Sequence, residues 1–153
     1  MEFLKFKHAH FRARFPKDFM YSRSHYWMNR VEEDLWHVGF TKFATRMLGE
    51  LVEAEWKTEK GAEISSGMEI GWVEGFKAAS DVYCVMDGVF EGGNPALEID
   101  ACIIRSKTYT DGYLYSVKGE PEEGAMDVDG YSDLLNATLE QMQKDPQYAD
   151  YAK

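Results

Sequence analysis

Cysteine is scarce in this sequence, and long apolar runs are absent. Cys84 and Cys102 are the only cysteines among 153 residues and form no CxxC pair. We therefore expect reduced thiols in a cytoplasmic protein, or in the mitochondrial matrix if the source is eukaryotic. No stretch approaches the roughly 18 consecutive apolar residues of a membrane span, and no signal-peptide core is visible near the start. We expect no contact with a membrane.

Motifs of catalysis and of metal binding are also missing. The sequence has no P-loop, no GxGxxG, no GxSxG and no HExxH. Its four histidines do not occur at metal spacing with carboxylates or cysteines, and His8-x-His10 is best interpreted as part of a disordered, solvated terminus. The sequence predicts no metal site and no catalytic residue.

Positive charge is sparse except at the start of the chain. The formal net charge is -10, yet residues 1–17 hold five cations against Glu2 alone, a net charge of +4. An acidic body argues against a nucleic-acid partner, which needs a basic footprint. The negative charge can keep the protein soluble, or it can attract the protein to basic patches on larger enzymes.

The hydrophobic pattern indicates one mainly β domain. Residues 34–40 alternate in part between apolar and polar, which predicts a strand, and Thr41 is a plausible N-cap for a short helix. Short apolar runs broken by glycines then predict several strands of a compact sandwich or barrel. These runs are 52–56, 69–74 and 81–86, with breaks at Gly61, Gly67, Gly88 and 92–95.

The end of the chain has a different pattern. Residues 118–130 are acidic and turn-rich, which predicts an exposed loop. From Tyr131 to Met142 apolar residues recur at helical spacing, which predicts a C-terminal helix over 130–145. We divide the chain into a basic extension (1–15), a domain (16–145) and a tail (146–153).

Lys77 lies in the segment with the strongest chemical signal. Gly75–Ser80 separates two strand-like runs, which predicts a surface hairpin connection, and most of its residues are small. A lysine at a rigid turn is an accessible nucleophilic amine, although most surface lysines are only solvated charges.

The surrounding sequence resembles the H protein family of the glycine cleavage system. This chain reads VEGFKAASDVYCV where the family reads VESVKAASDVYSP around its lipoyl lysine, which corresponds to Lys77. Further blocks follow in order from about residue 16 to residue 135. They are His25-Tyr26-Trp27 for HEW, 38–44 for VGITDYA, 48–52 for LGDIV, 94–97 for NxxL and 112–114 for GWL.

The resemblance implies a fold, a cofactor and a role. The fold is a barrel-sandwich hybrid of the lipoyl/biotinyl type, mainly β (α+β), with a short internal helix and a C-terminal helix. Lipoate would be amide-linked to Lys77. Lipoylating enzymes would recognise Glu74, three residues before this lysine, and Gly88, eleven residues after it. Methionines usually flank the lysine of a biotin carrier. Phe76 and Ala78 flank Lys77, which argues against biotin as the cofactor.

The implied protein is a carrier and not an enzyme. It would shuttle an aminomethyl group between glycine decarboxylase, aminomethyltransferase and dihydrolipoyl dehydrogenase, and we expect it to be a monomer. Two alternatives stay open: an H-like lipoate-binding protein of another redox complex, such as one of sulfur oxidation, and an unmodified structural or regulatory module.

Departures from the family pattern motivate the first alternative. They are Tyr26, Gly75-Phe76, Cys84-Val85 and 105–109, and we expect them on or near the face that meets partner enzymes. Cys84 has two interpretations, a mixed disulfide with the reduced arm or, as we favour, a small buried strand residue. His25 is interpreted as a packing or hydrogen-bonding residue near the arm, and not as a base.

Overall fold

The structure, a computed structural model, describes residues 1–147, and the predicted tail beyond residue 147 lies outside the described residues. The strands are β1 (Phe3–His8), β2 (Phe11–Pro16), β3 (Met20–Tyr21), β4 (Tyr26–Arg30), β5 (Leu35–Phe40), β6 (Leu51–Trp56), β7 (Glu63–Ile64), β8 (Glu69–Gly75), β9 (Ala79–Tyr83), β10 (Met86–Gly93) and β11 (Tyr115–Pro121). The helices are α1 (Lys42–Leu48), α2 (Ile103–Ser106) and α3 (Val128–Lys144), with a 3-10 turn at Pro95–Glu98.

The strands form three antiparallel sheets. The largest has the order β3-β4-β5-β11-β10-β7, the second has the order β6-β8-β9, and the third consists of β1 and β2. Within residues 1–147 no sheet closes into a barrel. The mainly β architecture with a short internal helix and a C-terminal helix is confirmed. No helix of the described part is long and apolar enough to cross a membrane.

The two larger sheets share one apolar core. Met28 and Val38 of the six-stranded sheet belong to the same buried cluster as Val73 and Val82 of the three-stranded sheet. Alternate residues of a strand point to opposite faces, so each sheet contributes one apolar face to this core. The second sheet is thereby fixed on the first, and it carries the turn between β8 and β9.

The first sixteen residues form a hairpin, so the prediction of a disordered, solvated terminus at His8 and His10 is wrong. Its inner face contributes Phe6, Phe11 and Phe15 to a second buried cluster with α3. Apolar and charged residues alternate along both strands, and this period of two predicts a strand pair. The alternation was hidden because the cations dominate the composition of this segment.

Three further details differ from prediction. The run 81–86 is not one strand, because β9 ends at Tyr83 and β10 begins at Met86. Gly88 is not a break: it lies inside β10, opposite Gly119 of β11. The predicted loop 118–130 is shorter, since β11 continues to Pro121.

The C-terminal helix is confirmed with an earlier start. It begins at Val128, after the side chain of Asp127 accepts a hydrogen bond from the Gly130 backbone N–H and caps the first turn.

Candidate functional site

Lys77 lies at the tip of the turn that joins β8 to β9, as predicted. The backbone N–H of Gly75 donates to the carbonyl of Ala78 at 2.9 Å and closes the turn. The Lys77 side chain is exposed, and the ring of Phe76 beside it is 80% exposed. The turn therefore presents an amine and an aromatic ring to solvent.

The backbone of this turn is tied to the end of α1. The N–H of Lys77 donates to the Leu48 carbonyl and that of Phe76 donates to the Glu50 carbonyl, both at 3.0 Å. These two hydrogen bonds from successive residues hold the backbone at Lys77 in place, while the Lys77 side chain stays exposed.

Two glycines permit this close approach. Gly49 ends α1 with φ +79°, and a Cβ there would lie 2.9 Å from Lys77 Cγ and 3.1 Å from Lys77 N. A Cβ at Gly75 would lie 2.3 Å from the Leu48 carbonyl oxygen. Gly49 thus does more than weaken the final helical turn, because any larger residue would push the turn away.

A cleft of about 350 Å³ opens beside Lys77. Its lining includes four other cations: Arg12 of β2, Lys42 and Arg46 of α1, and Arg105 of α2. Burial and the nearby Arg105 lower the pKa of Lys42, and the Lys77 amine donates to the Arg46 carbonyl at 3.4 Å. The cations of this cleft come from distant parts of the sequence, and only Arg12 belongs to the cation-rich residues 1–17.

Glu74 and Gly88 occupy different surroundings. Glu74 is exposed in β8, opposite Ala79 of β9 and next along the strand to the turn. Gly88 lies in the other sheet, where a Cβ would come within 2.0 Å of the Lys118 carbonyl oxygen. The close contact of β10 with β11 requires a glycine there, whatever further role Gly88 has.

Several departures from the family pattern are buried, so these residues cannot themselves contact a partner enzyme. Tyr26, Cys84 and Val85 are at most 3% exposed, whereas Phe76 does lie on the surface. Burial raises the pKa of the Cys84 thiol to about 11, and its Sγ lies 2.9 Å from the Met86 carbonyl oxygen. Cys84 is therefore buried, as we favoured, although it lies between β9 and β10 and not within a strand.

His25 is half-buried and packs against two helices. Its Nδ1 lies 2.9 Å from the Tyr131 hydroxyl oxygen, and its ring lies 4.6 Å from the Phe43 ring. Burial lowers the pKa of His25 to about 4, so the ring is neutral at pH 7. The interpretation as a packing residue is confirmed, and these contacts are with α3 and α1, not with the Lys77 turn.

Comparisons with known proteins agree with this geometry. A family model described as "Glycine cleavage H-protein" matches residues 19–143. The "Glycine cleavage system H protein" of Coxiella burnetii (strain Dugway 5J108-111) is 34% identical over 128 residues, covering 82% of this chain and 98% of that protein. The protein of the same name from Corynebacterium jeikeium (strain K411) is 37% identical over 119 residues, covering 76% and 93%.

A solved structure is similar as well. The crystal structure of a glycine cleavage system H protein from Mycobacterium marinum superposes with a TM-score of 0.70 at 28% identity, covering 78% of this chain and 97% of that one. The barrel-sandwich fold of the lipoyl type is thereby confirmed, and neither alternative function is favoured. The chain belongs to the glycine cleavage H-protein family, whose members are carriers of lysine-bound lipoate and not enzymes.

Proposed function

We propose that Lys77 is the residue of this chain that carries the lipoyl group. The observation that supports this most strongly is the turn itself, which holds the backbone of an exposed lysine by hydrogen bonds to Leu48 and Glu50. A modifying enzyme needs an amine that projects from a well-positioned backbone. Gly49 and Gly75 let the turn pack against α1, which positions the backbone in this way.

The residues around Lys77 fit a long flexible arm. The Lys77 side chain is exposed, so an amide at its Nζ displaces no buried packing, and it removes one positive charge from a cation-rich surface. When bound, lipoate supplies a dithiolane that accepts and releases the group transferred in glycine cleavage. The turn fixes the origin of the arm, and tethering of this kind replaces free diffusion with a high local concentration at each partner.

Glu74 and Gly88 are the residues that we propose lipoylating enzymes read. Glu74 is accessible, because its side chain is exposed next to the turn. Gly88 has a packing role of its own, so its contribution to recognition must be separated from its contribution to stability.

The partners follow from the family. The chain works with enzymes of glycine cleavage, and we propose that these are glycine decarboxylase, aminomethyltransferase and dihydrolipoyl dehydrogenase. We propose further that it acts as a monomer in the cytoplasm. Cys84 and Cys102 form no disulfide with each other, which suits a reducing compartment.

Intact mass measurement tests the attachment site. The wild-type chain, produced in a host with active lipoylation, gains the mass of one lipoyl group, and Lys77→Arg does not. Lys60→Arg is the matched control, because Lys60 is also an exposed turn lysine. This variant keeps the full increment.

Two outcomes would overturn the proposal. One is an unmodified wild-type chain in a host that lipoylates a control carrier. The other is a Lys77→Arg variant that still gains the increment. Glu74→Gln tests recognition separately: we expect slower lipoylation of a protein with unchanged thermal stability.

A further inference from the structure

The outer face of the N-terminal hairpin carries opposed like charges. In the β1–β2 register, Lys5 lies opposite Arg14 and Lys7 lies opposite Arg12, and all four side chains are exposed. Residues at i and i+2 of a strand share a face, so these four cations form one patch. Like charges directly opposite each other destabilise a strand pair. Stability alone does not account for this arrangement in a chain with 27 acidic and 17 basic residues.

The patch forms one wall of a groove of about 680 Å³. The other wall comes from Lys42 and residues 106–110, which contribute Lys107, and apolar surface comes from Phe3 and Tyr109. The guanidinium of Arg14 lies 4.9 Å from the centroid of the Phe3 ring. Among the residues that the structure describes, no Asp or Glu lines the groove.

The cations of the groove have few anionic neighbours. Lys107 lies 3.5 Å from the Asp111 carboxylate in an exposed pair of small energetic value. Lys42 donates to the Arg105 carbonyl at 2.6 Å, a neutral acceptor that leaves its charge in place. A positive potential therefore remains inside the groove, which is within the usual 300–1,000 Å³ of small-molecule sites.

We propose that this groove binds a small molecule that bears two or more phosphate charges and an apolar part. Arg and Lys donors match phosphate oxygens, and an anion between the two strands relieves the repulsion of their opposed cations. Phe3 and Tyr109 offer apolar surface to the rest of the ligand. The hairpin lies outside residues 19–143, which the family model matches, and the proposal does not depend on Lys77.

Calorimetric titration of the full chain tests the proposal, with ATP and inorganic pyrophosphate as the probes and without divalent cations. We expect saturable binding at one site, with ATP bound more tightly than pyrophosphate. Arg14→Gln and Lys107→Gln each weaken ATP binding by about tenfold, as expected for the loss of one charge-assisted hydrogen bond. Lys118→Gln removes the same charge from an exposed strand residue outside the groove and leaves the affinity unchanged.

A charge reversal separates binding from folding. Arg14→Glu places a carboxylate opposite Lys5, so the strand pair gains an attractive contact, and we expect no loss of thermal stability while ATP binding is abolished. Absence of saturable binding would overturn the proposal, as would an equal loss of affinity in Lys118→Gln. Displacement of ATP by a glutamate-rich peptide that binds more tightly than either probe would also overturn it, because the patch would then fit an acidic polypeptide.

Discussion

Gly49 determines how closely the turn that carries Lys77 approaches α1. Its φ of +79° is unfavourable for any residue with a Cβ, and the space that a Cβ would need is occupied by Lys77. We expect Gly49→Ala to lower the free energy of unfolding by about 1–2 kcal/mol and to slow lipoylation, because the lysine shifts relative to Glu74. Urea unfolding and the rate of mass gain measure the two effects.

Gly124→Ala is the matched control for this prediction. Gly124 also has a positive φ, +94°, but no atom lies within 4 Å of a Cβ built there. It should lose a similar stability and keep the wild-type rate of lipoylation. Equal rates in both variants would contradict the role of Gly49 in placing the turn.

His25 makes the stability of the fold depend on pH. Burial lowers its pKa from the usual 6.5 to about 4, so between these values the unfolded chain binds a proton that the folded chain does not. The stabilisation is complete above about pH 6.5 and is lost as the pH falls towards 4. We expect a loss on the order of 2 kcal/mol between pH 7 and pH 4.5 from this residue.

Comparison with His25→Asn isolates this contribution. Asparagine tolerates the positive φ of +70° at this position and does not titrate. Urea unfolding at both pH values should show a smaller decrease for the variant. An identical decrease would mean that His25 is protonated equally in the folded and unfolded chains.

At the scale of elements, the N-terminal hairpin is part of the folded core. Phe15 is fully buried, and its ring packs edge-on against that of Tyr131 of α3 at 5.3 Å between centroids. Phe15→Ala should cost about 3–5 kcal/mol of unfolding free energy, measured in urea. Phe3→Ala, on the half-exposed outer face, should cost about 1 kcal/mol or less. Equal costs would contradict the packing of the hairpin on α3.

The elements near Lys77 were predictable from the sequence, since local signals define them. Strand β5, the start of α1 after Thr41 and the turn at Lys77 all follow patterns of a few residues. The Thr41 side chain nevertheless makes no capping bond, because its Oγ1 lies 2.8 Å from the Tyr131 hydroxyl oxygen. That contact joins residues 90 positions apart, and no local pattern reports it.

The missed features share this long-range origin. Gly88 resembled a break because glycine usually interrupts a strand, and only its position opposite Gly119 explains it within β10. The cation-lined cleft combines Arg12, Lys42, Arg46 and Arg105 from β2, α1 and α2. The sequence shows these residues as scattered positive charges, so the cleft becomes visible only when the chain is folded.

In the folded chain, the N-terminal hairpin and the Lys77 turn both contact α1. The Phe11 ring of the hairpin lies 6.0 Å from the Phe43 ring of α1, and the end of α1 holds the turn. The second buried cluster therefore supports the helix against which the Lys77 turn is held. Residues outside the family match thus adjoin the site in two ways, through the packing of Phe11 on α1 and through Arg12, which lines the cleft beside Lys77.

We propose that this chain carries the aminomethyl group of glycine cleavage on Lys77. Lipoylated wild-type protein, mixed with glycine decarboxylase, glycine and labelled bicarbonate, should support exchange of the label into glycine, and Lys77→Arg should support none. A competent H protein in a parallel reaction verifies the enzyme. Absence of exchange with the lipoylated wild-type chain beside a working control would mean that this chain is not a carrier of glycine cleavage.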